Sequence, residues 1–164
     1  MSKYTPEIVS RICELIETDQ YESFVNNDFE NEKDLMEFII LNKELFCRNV
    51  LGFEYKSYET ECAFKKIDHL HKNEPRVDII FWDINNYVHL VELKSPRNEY
   101  GECMQGVGQC LAYYYLARVN GFNLGDVYLV TTKHCNLVPL IIRDARLNLK
   151  YIYFSKRNWT KSFK

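Results

Sequence analysis

The chain has no hydrophobic run approaching the length of a membrane-spanning helix and no internal repeat or low-complexity segment, and its glycine and proline are sparse, at six and four of 164 residues. Its opening residues, MSKYTPEIV, carry no apolar core of a leader, so no signal peptide is expected. None of the six cysteines, at 13, 47, 62, 103, 110 and 135, forms a CxxC pair. They read as reduced thiols of an intracellular protein, cytoplasmic or associated with nucleoid or nucleus. Cys62, His69 and His71 lack a fourth ligand at zinc spacing. A phosphate-cradling GxxxxGK[ST] loop is missing, and so is a serine in a nucleophile elbow. His134-Cys135 is a bare dipeptide, and adjacency in sequence does not make a catalytic pair. These absences set aside motor ATPases, serine hydrolases and a membrane protein.

What is present is an ordinary globular composition, 46% hydrophobic and 27% charged. Twelve tyrosines and ten phenylalanines argue against disorder. One domain over 1–164 is expected, with 1–28 as an N-terminal helical extension, 30–132 as the core and 133–164 as a basic C-terminal part. The net charge is only −2, but it is unevenly placed: residues 1–50 hold eleven acids against five bases. After Asp144 there are six bases and no acid. Tyr151, Tyr153, Trp159 and Phe163 are interleaved with those bases, which suits a polyanion and stacked bases; a solubilising end of chain is the alternative.

Helical spacing and capping residues predict a helix after Thr5-Pro6 and another from about Asn31, with Leu35, Phe38 and Ile39 on its apolar stripe and a break at Gly52. Residues 53–66 read as one strand or two. A hairpin follows, with Val77–Trp82 and Tyr87–Leu93 around the turn Asp83-Ile84-Asn85-Asn86. A helix is expected over 102–119, capped by Asn120-Gly121, then a buried strand over 127–132. Residues 136–147 fit a short helix or a strand, and 149–154 a last strand. The fold class expected is α/β, a central mixed β-sheet flanked by helices in αβββαβ order.

Charged residues interrupt the hairpin where a buried strand has none. Glu92 and Lys94, two apart, share a strand face. Asp78 and Glu92 are symmetric about the turn and so fall opposite each other. Cross-strand partners have Cβ atoms about 4.5–5.5 Å apart. Two carboxylates that close repel unless a cation sits between them. With the backbone carbonyl of Leu93 and waters, they make an oxygen site suited to Mg²⁺ or Mn²⁺, and Lys94 stands beside it.

The string Asp78…Glu92-Leu93-Lys94 resembles the PD-(D/E)xK nuclease pattern, with Val77 where that pattern often has proline. Gln109-Cys110-Leu111-Ala112-Tyr113 resembles the QxxxY helix of RecB-type nucleases, and Glu32–Ile39 resembles the early helix of RecB-like and NucS-like members. The resemblance covers about residues 30–132. It implies a restriction-endonuclease-like core and a Mg²⁺- or Mn²⁺-dependent nuclease acting on DNA, with RNA as the alternative. The metal would be held by Asp78, Glu92 and the Leu93 carbonyl. Glu32 would complete the metal site, Glu37 being the alternative; Lys94 would assist water attack; Gln109 and Tyr113 would position the strand. Arg76, Lys65 and Lys66 are candidates for phosphate contacts. The setting implied is a homodimer or a subunit of a larger DNA-processing assembly. The competing reading is an inactive nucleic-acid-binding or protein-interaction module on the same fold.

Overall fold

The computed structural model describes residues 28–64, 75–97 and 100–161. The helix predicted after Thr5, and Lys65, Lys66, His69, His71 and Phe163, lie outside them. Among the described residues no helix is long and apolar enough to cross a membrane.

The first described helix, α1, runs Glu32–Leu41. Asn31 caps it by accepting from the Asp34 amide at 3.0 Å, and Glu32 and Asp34 sit in its first turn, where the helix dipole favours acids. A short helix α2, Lys43–Phe46, and a π-helical turn, Cys47–Leu51, follow. Gly52 ends this stretch at φ 86°, a left-handed conformation that glycine adopts without strain.

The strands are β1 (Tyr55–Ala63), β2 (Arg76–Asp83), β3 (Val88–Lys94), β4 (Leu124–Thr131) and β5 (Lys150–Tyr153). They form one five-stranded sheet in the order β1-β2-β3-β4-β5. The first two pairings are antiparallel, and β3–β4 and β4–β5 are parallel. The parallel crossovers are made by α3 (Gly101–Val119) and α4 (Leu137–Asp144), as parallel connection requires. Gly121, φ 73°, turns the chain after α3. The last helix, α5, spans Lys156–Lys161. This is the mixed sheet with flanking helices that the periodicity predicts; the described residues of 53–66 supply one strand, Tyr55–Ala63, and 136–147 holds a helix over Leu137–Asp144.

Each sheet face has its own core. Ile79, Phe81, Val91 and Leu93 pack with α1 residues Leu35, Phe38 and Ile39. Ile80, Leu90 and Leu129 pack with α3 residues Val107, Cys110 and Tyr113. Alternation along β3 puts Glu92 and Lys94 on the face of Leu90, toward α3. Every residue of β3 is buried, as expected of a strand covered on both faces.

The C-terminal aromatics differ from the expectation. Trp159 is 1% exposed, its ring 5.7 Å from Phe38 and 6.0 Å from Phe154. The hydroxyl of half-buried Tyr151 accepts from the Cys135 amide at 2.8 Å. Burying an indole against Phe38 and Phe154 in the core on the α1 side outweighs leaving it in a charged tail. Of the four rings proposed for stacking, Tyr153 alone among the described residues stays substantially exposed, at 38%.

Candidate active site

The hairpin register pairs Ile79 with Val91 and Ile80 with Leu90. One step further along, Asp78 faces Glu92. Asp78 is fixed from the middle strand: its Oδ2 accepts the Leu93 backbone N–H at 2.7 Å. Glu92 is held at both oxygens. Lys94 Nζ donates to Oε1 at 2.6 Å, and the Tyr113 hydroxyl lies 3.0 Å from Oε2. The same hydroxyl lies 2.5 Å from the Arg76 carbonyl. A phenol has one proton, so it is shared between two acceptors that both belong to the hairpin.

Burial and charge shape this cluster. The Glu92 side chain is 1% exposed and that of Lys94 is 11% exposed. Burial raises the Asp78 carboxyl to about 7, and the charge of Glu92 and, more weakly, of Glu32 adds to it; the Leu93 amide and Lys94 act the other way. For Lys94, burial works against the ammonium. The hydrogen bond and charge of Glu92 outweigh it, helped by Glu32 and Asp78, and hold the group above the usual lysine range. Lys94 is therefore a charged donor at neutral pH. Burial, then Glu92, also pushes the Tyr113 phenol upward, so it stays protonated.

Helix α3 supplies the supporting wall. Gly106 leaves space for it: a Cβ there would stand 2.6 Å from Leu129 Cδ1 and 3.2 Å from Lys94 Cγ. Cys110, buried on the same face, has its thiol pushed up by burial and by the charge of Glu92, with Lys94 opposing. Its Sγ–H points to the Tyr128 carbonyl at 3.7 Å.

The structure brings Asp78, Glu92, Lys94 and Tyr113 together. Glu32 stands at the mouth, close enough for its charge to act on Asp78 and Lys94. A recess of about 320 Å³ there is lined by residues including Glu32, Lys33, Ser95 and Arg97. Gln109 donates to the Tyr113 hydroxyl at 3.4 Å, and its Oε1 is buried with no partner among the described residues. Tyr113, expected beside a bound strand, is 1% exposed and turned to Glu92. It positions the carboxylate. Arg76, considered as a phosphate contact, takes part through its carbonyl. The roles of Arg76 O and Gly106 were not legible in sequence; a glycine inside an otherwise strong helix is the only hint of close approach. Among the described residues no three His, Cys, Asp or Glu side chains converge to cage an ion.

No family model matches the chain, and no curated protein matches it by sequence. Among solved structures, the chain is similar to a repair endonuclease from Pyrococcus abyssi at 17% identity and TM-score 0.47, over 77% of this chain and 47% of that one. It is also similar to a Vibrio cholerae protein at 12% identity and TM-score 0.49, over 98% of this chain and 41% of that one. The chain spans less than half the length of either structure.

Proposed function

We propose that the chain is a metal-dependent phosphodiesterase cleaving DNA at Asp78, Glu92 and Lys94. One observation carries this reading: two crowded carboxylates and a charged lysine converge at the end of a buried central strand, with Lys94 Nζ 2.6 Å from Glu92. Asp78 is pushed up to about 7 by burial and then by the charge of Glu92; its ionised form lacks compensation there, and a divalent cation supplies it. The donors are hard oxygens: Asp78, Glu92 and the Leu93 carbonyl would hold Mg²⁺ or Mn²⁺, with waters filling the shell as magnesium prefers. When bound, such an ion acidifies a water and polarises a phosphoryl oxygen.

The chain's own groups supply the rest. Lys94, charged, donates a hydrogen bond to the attacking water or to a non-bridging phosphate oxygen and offsets developing negative charge. Its raised pKa makes it a donor here, not a base. Tyr113 keeps Glu92 from rotating. Glu32 at the mouth would bind a water of the ion. Lys33 and Arg97 beside it suit phosphates on either side of the scissile bond. The RecB-type branch, and assembly as a homodimer or in a larger complex, belong to the same proposal.

The test is cleavage of single-stranded, duplex, flap and junction DNA, and of RNA, in Mg²⁺ or Mn²⁺. Asp78→Ala and Lys94→Ala should abolish turnover, and Glu32→Gln should slow it more than Glu37→Gln. Variants that cleave as wild type does would sink the assignment. The closed Lys94–Glu92 pair favours a second reading, a non-catalytic nucleic-acid-binding module; it predicts DNA binding without turnover in either metal.

A further inference from the structure

A cavity among the described residues lies away from the Lys94 cluster. It occupies about 610 Å³ between the end of α3, the start of β4 and the turn before β5, a size typical of small-ligand sites. In the parallel β3–β4 pair, Lys94 aligns with Thr131 and Val88 with Leu124. The cavity is built at the Leu124 end, so it stands about 20 Å from the Lys94 cluster at strand rise.

Its polar groups are organised as donors. Tyr114 OH accepts from Arg118 Nη1 at 3.2 Å and from Asn148 Nδ2 at 3.0 Å. With both lone pairs engaged, the Tyr114 proton is left to donate, and among the described residues nothing accepts it. The guanidinium of Arg118 lies over the Tyr114 ring, 5.6 Å from its centroid, and among the described residues no carboxylate pairs with it. The one acid in the lining, Asp126, is already engaged at Oδ2 by Lys150 Nζ at 2.9 Å and Tyr128 OH at 3.1 Å. The lining therefore has one cation in excess. The lining also holds Leu124, Leu147 and Phe122, a residue left 41% exposed.

A cation and a hydroxyl donor suit a phosphate. An aromatic ring with aliphatic neighbours suits a flat apolar body, and Asn148, whose second amide N–H and side-chain carbonyl find no partner among the described residues, suits the mixed donor–acceptor edge of a base. We infer that this cavity binds a nucleoside monophosphate, with phosphate at Arg118 and Tyr114 and base over Phe122. The assignment does not rest on the phosphodiesterase reading.

The experiment is calorimetric titration with adenosine monophosphate, and with adenosine and inorganic phosphate as its two halves. Wild type should bind the nucleotide saturably and each half far more weakly. Arg118→Ala should weaken binding about tenfold, the loss expected of one charge-assisted hydrogen bond; Tyr114→Phe should weaken it several-fold, and Arg118→Lys less than Arg118→Ala. Glu92→Gln should bind as wild type does. Absence of saturable binding overturns the inference. So does phosphate alone binding as tightly as the nucleotide, binding unchanged in both Arg118→Ala and Tyr114→Phe, or binding lost in Glu92→Gln, which would place the nucleotide at the other site.

Discussion

The main-chain N–H of Leu93 donates to the carboxylate of Asp78 across the hairpin at 2.7 Å. A central-strand amide thus holds the side chain of its neighbour. Asp78→Ala strips the acceptor from a buried donor and should cost about 1–3 kcal/mol; Asp78→Asn keeps an acceptor and should cost less. The pair also carries a pH signature. Because the folded-state carboxyl is raised to about 7, the native state pays for ionising it. That penalty is absent at pH below the unfolded carboxylate range, grows through the interval up to about 7, and is complete above it. Asp78→Asn should therefore gain stability relative to wild type as pH rises through this window. Urea unfolding in a chelator at stepped pH checks both statements.

Tyr113 spans Glu92 and the Arg76 carbonyl with one hydroxyl. Tyr113→Phe keeps the ring and leaves two acceptors bare. We expect a stability loss of about 1–3 kcal/mol and a turnover loss of about tenfold, as a barrier rise of about 1.4 kcal/mol gives. Unfolding curves and single-turnover cleavage read the two separately; a variant that loses stability at unchanged rate would confine Tyr113 to a structural role.

Two glycines of α3 should respond oppositely to alanine. At Gly106 the added methyl meets Leu129 and the stem of Lys94, and overpacking there should cost about 1–3 kcal/mol and slow cleavage. At exposed Gly108 a Cβ meets nothing within 4 Å, so alanine should stabilise the helix by up to about 1 kcal/mol. Thermal unfolding of the pair decides.

At the other end of β3, His89 lies under Phe53, ring centroids 3.8 Å apart. Its Nδ1 accepts the Asp126 amide at 3.2 Å, and Nε2 faces Asp83 at 3.4 Å. The ring is therefore neutral, with its proton on Nε2. Burial depresses its pKa, with Asp83 and Asp126 opposing and Lys150 assisting. A histidine lowered on folding contributes stability above its unfolded pKa and loses it as pH falls below that value. His89→Gln should remove this acid-side slope. Gly125→Ala would put a Cβ 2.4 Å from the imidazole, so its cost should shrink in the His89→Ala background, a coupling that a double-mutant cycle measures.

How much of this was legible follows from range. The facing of Asp78 and Glu92 was readable because one turn fixes one register, and Glu92 and Lys94 share a face by period alone. Element type was readable where the period was strong, as in α1 and α3. The Leu137–Asp144 stretch was ambiguous because its apolar run fits either period. Trp159 was misread because the tail's charge is a local property, whereas its burial depends on Phe38, far away in sequence. The Tyr113–Glu92 bond joins α3 to β3 and needs the crossover. The cavity at Arg118 joins three separate segments, and no single window of sequence contains it.

β3 is hydrogen-bonded on both edges and buried on both faces. The amides of β3 bonded in the strand ladders cannot reach solvent unless the sheet itself parts, so their exchange with deuterium should track global unfolding and not local breathing. Glu92 and Lys94 are thus carried by a strand that opens only with the sheet. Whatever they act on has to come to the strand's end, because the strand will not come out to meet it.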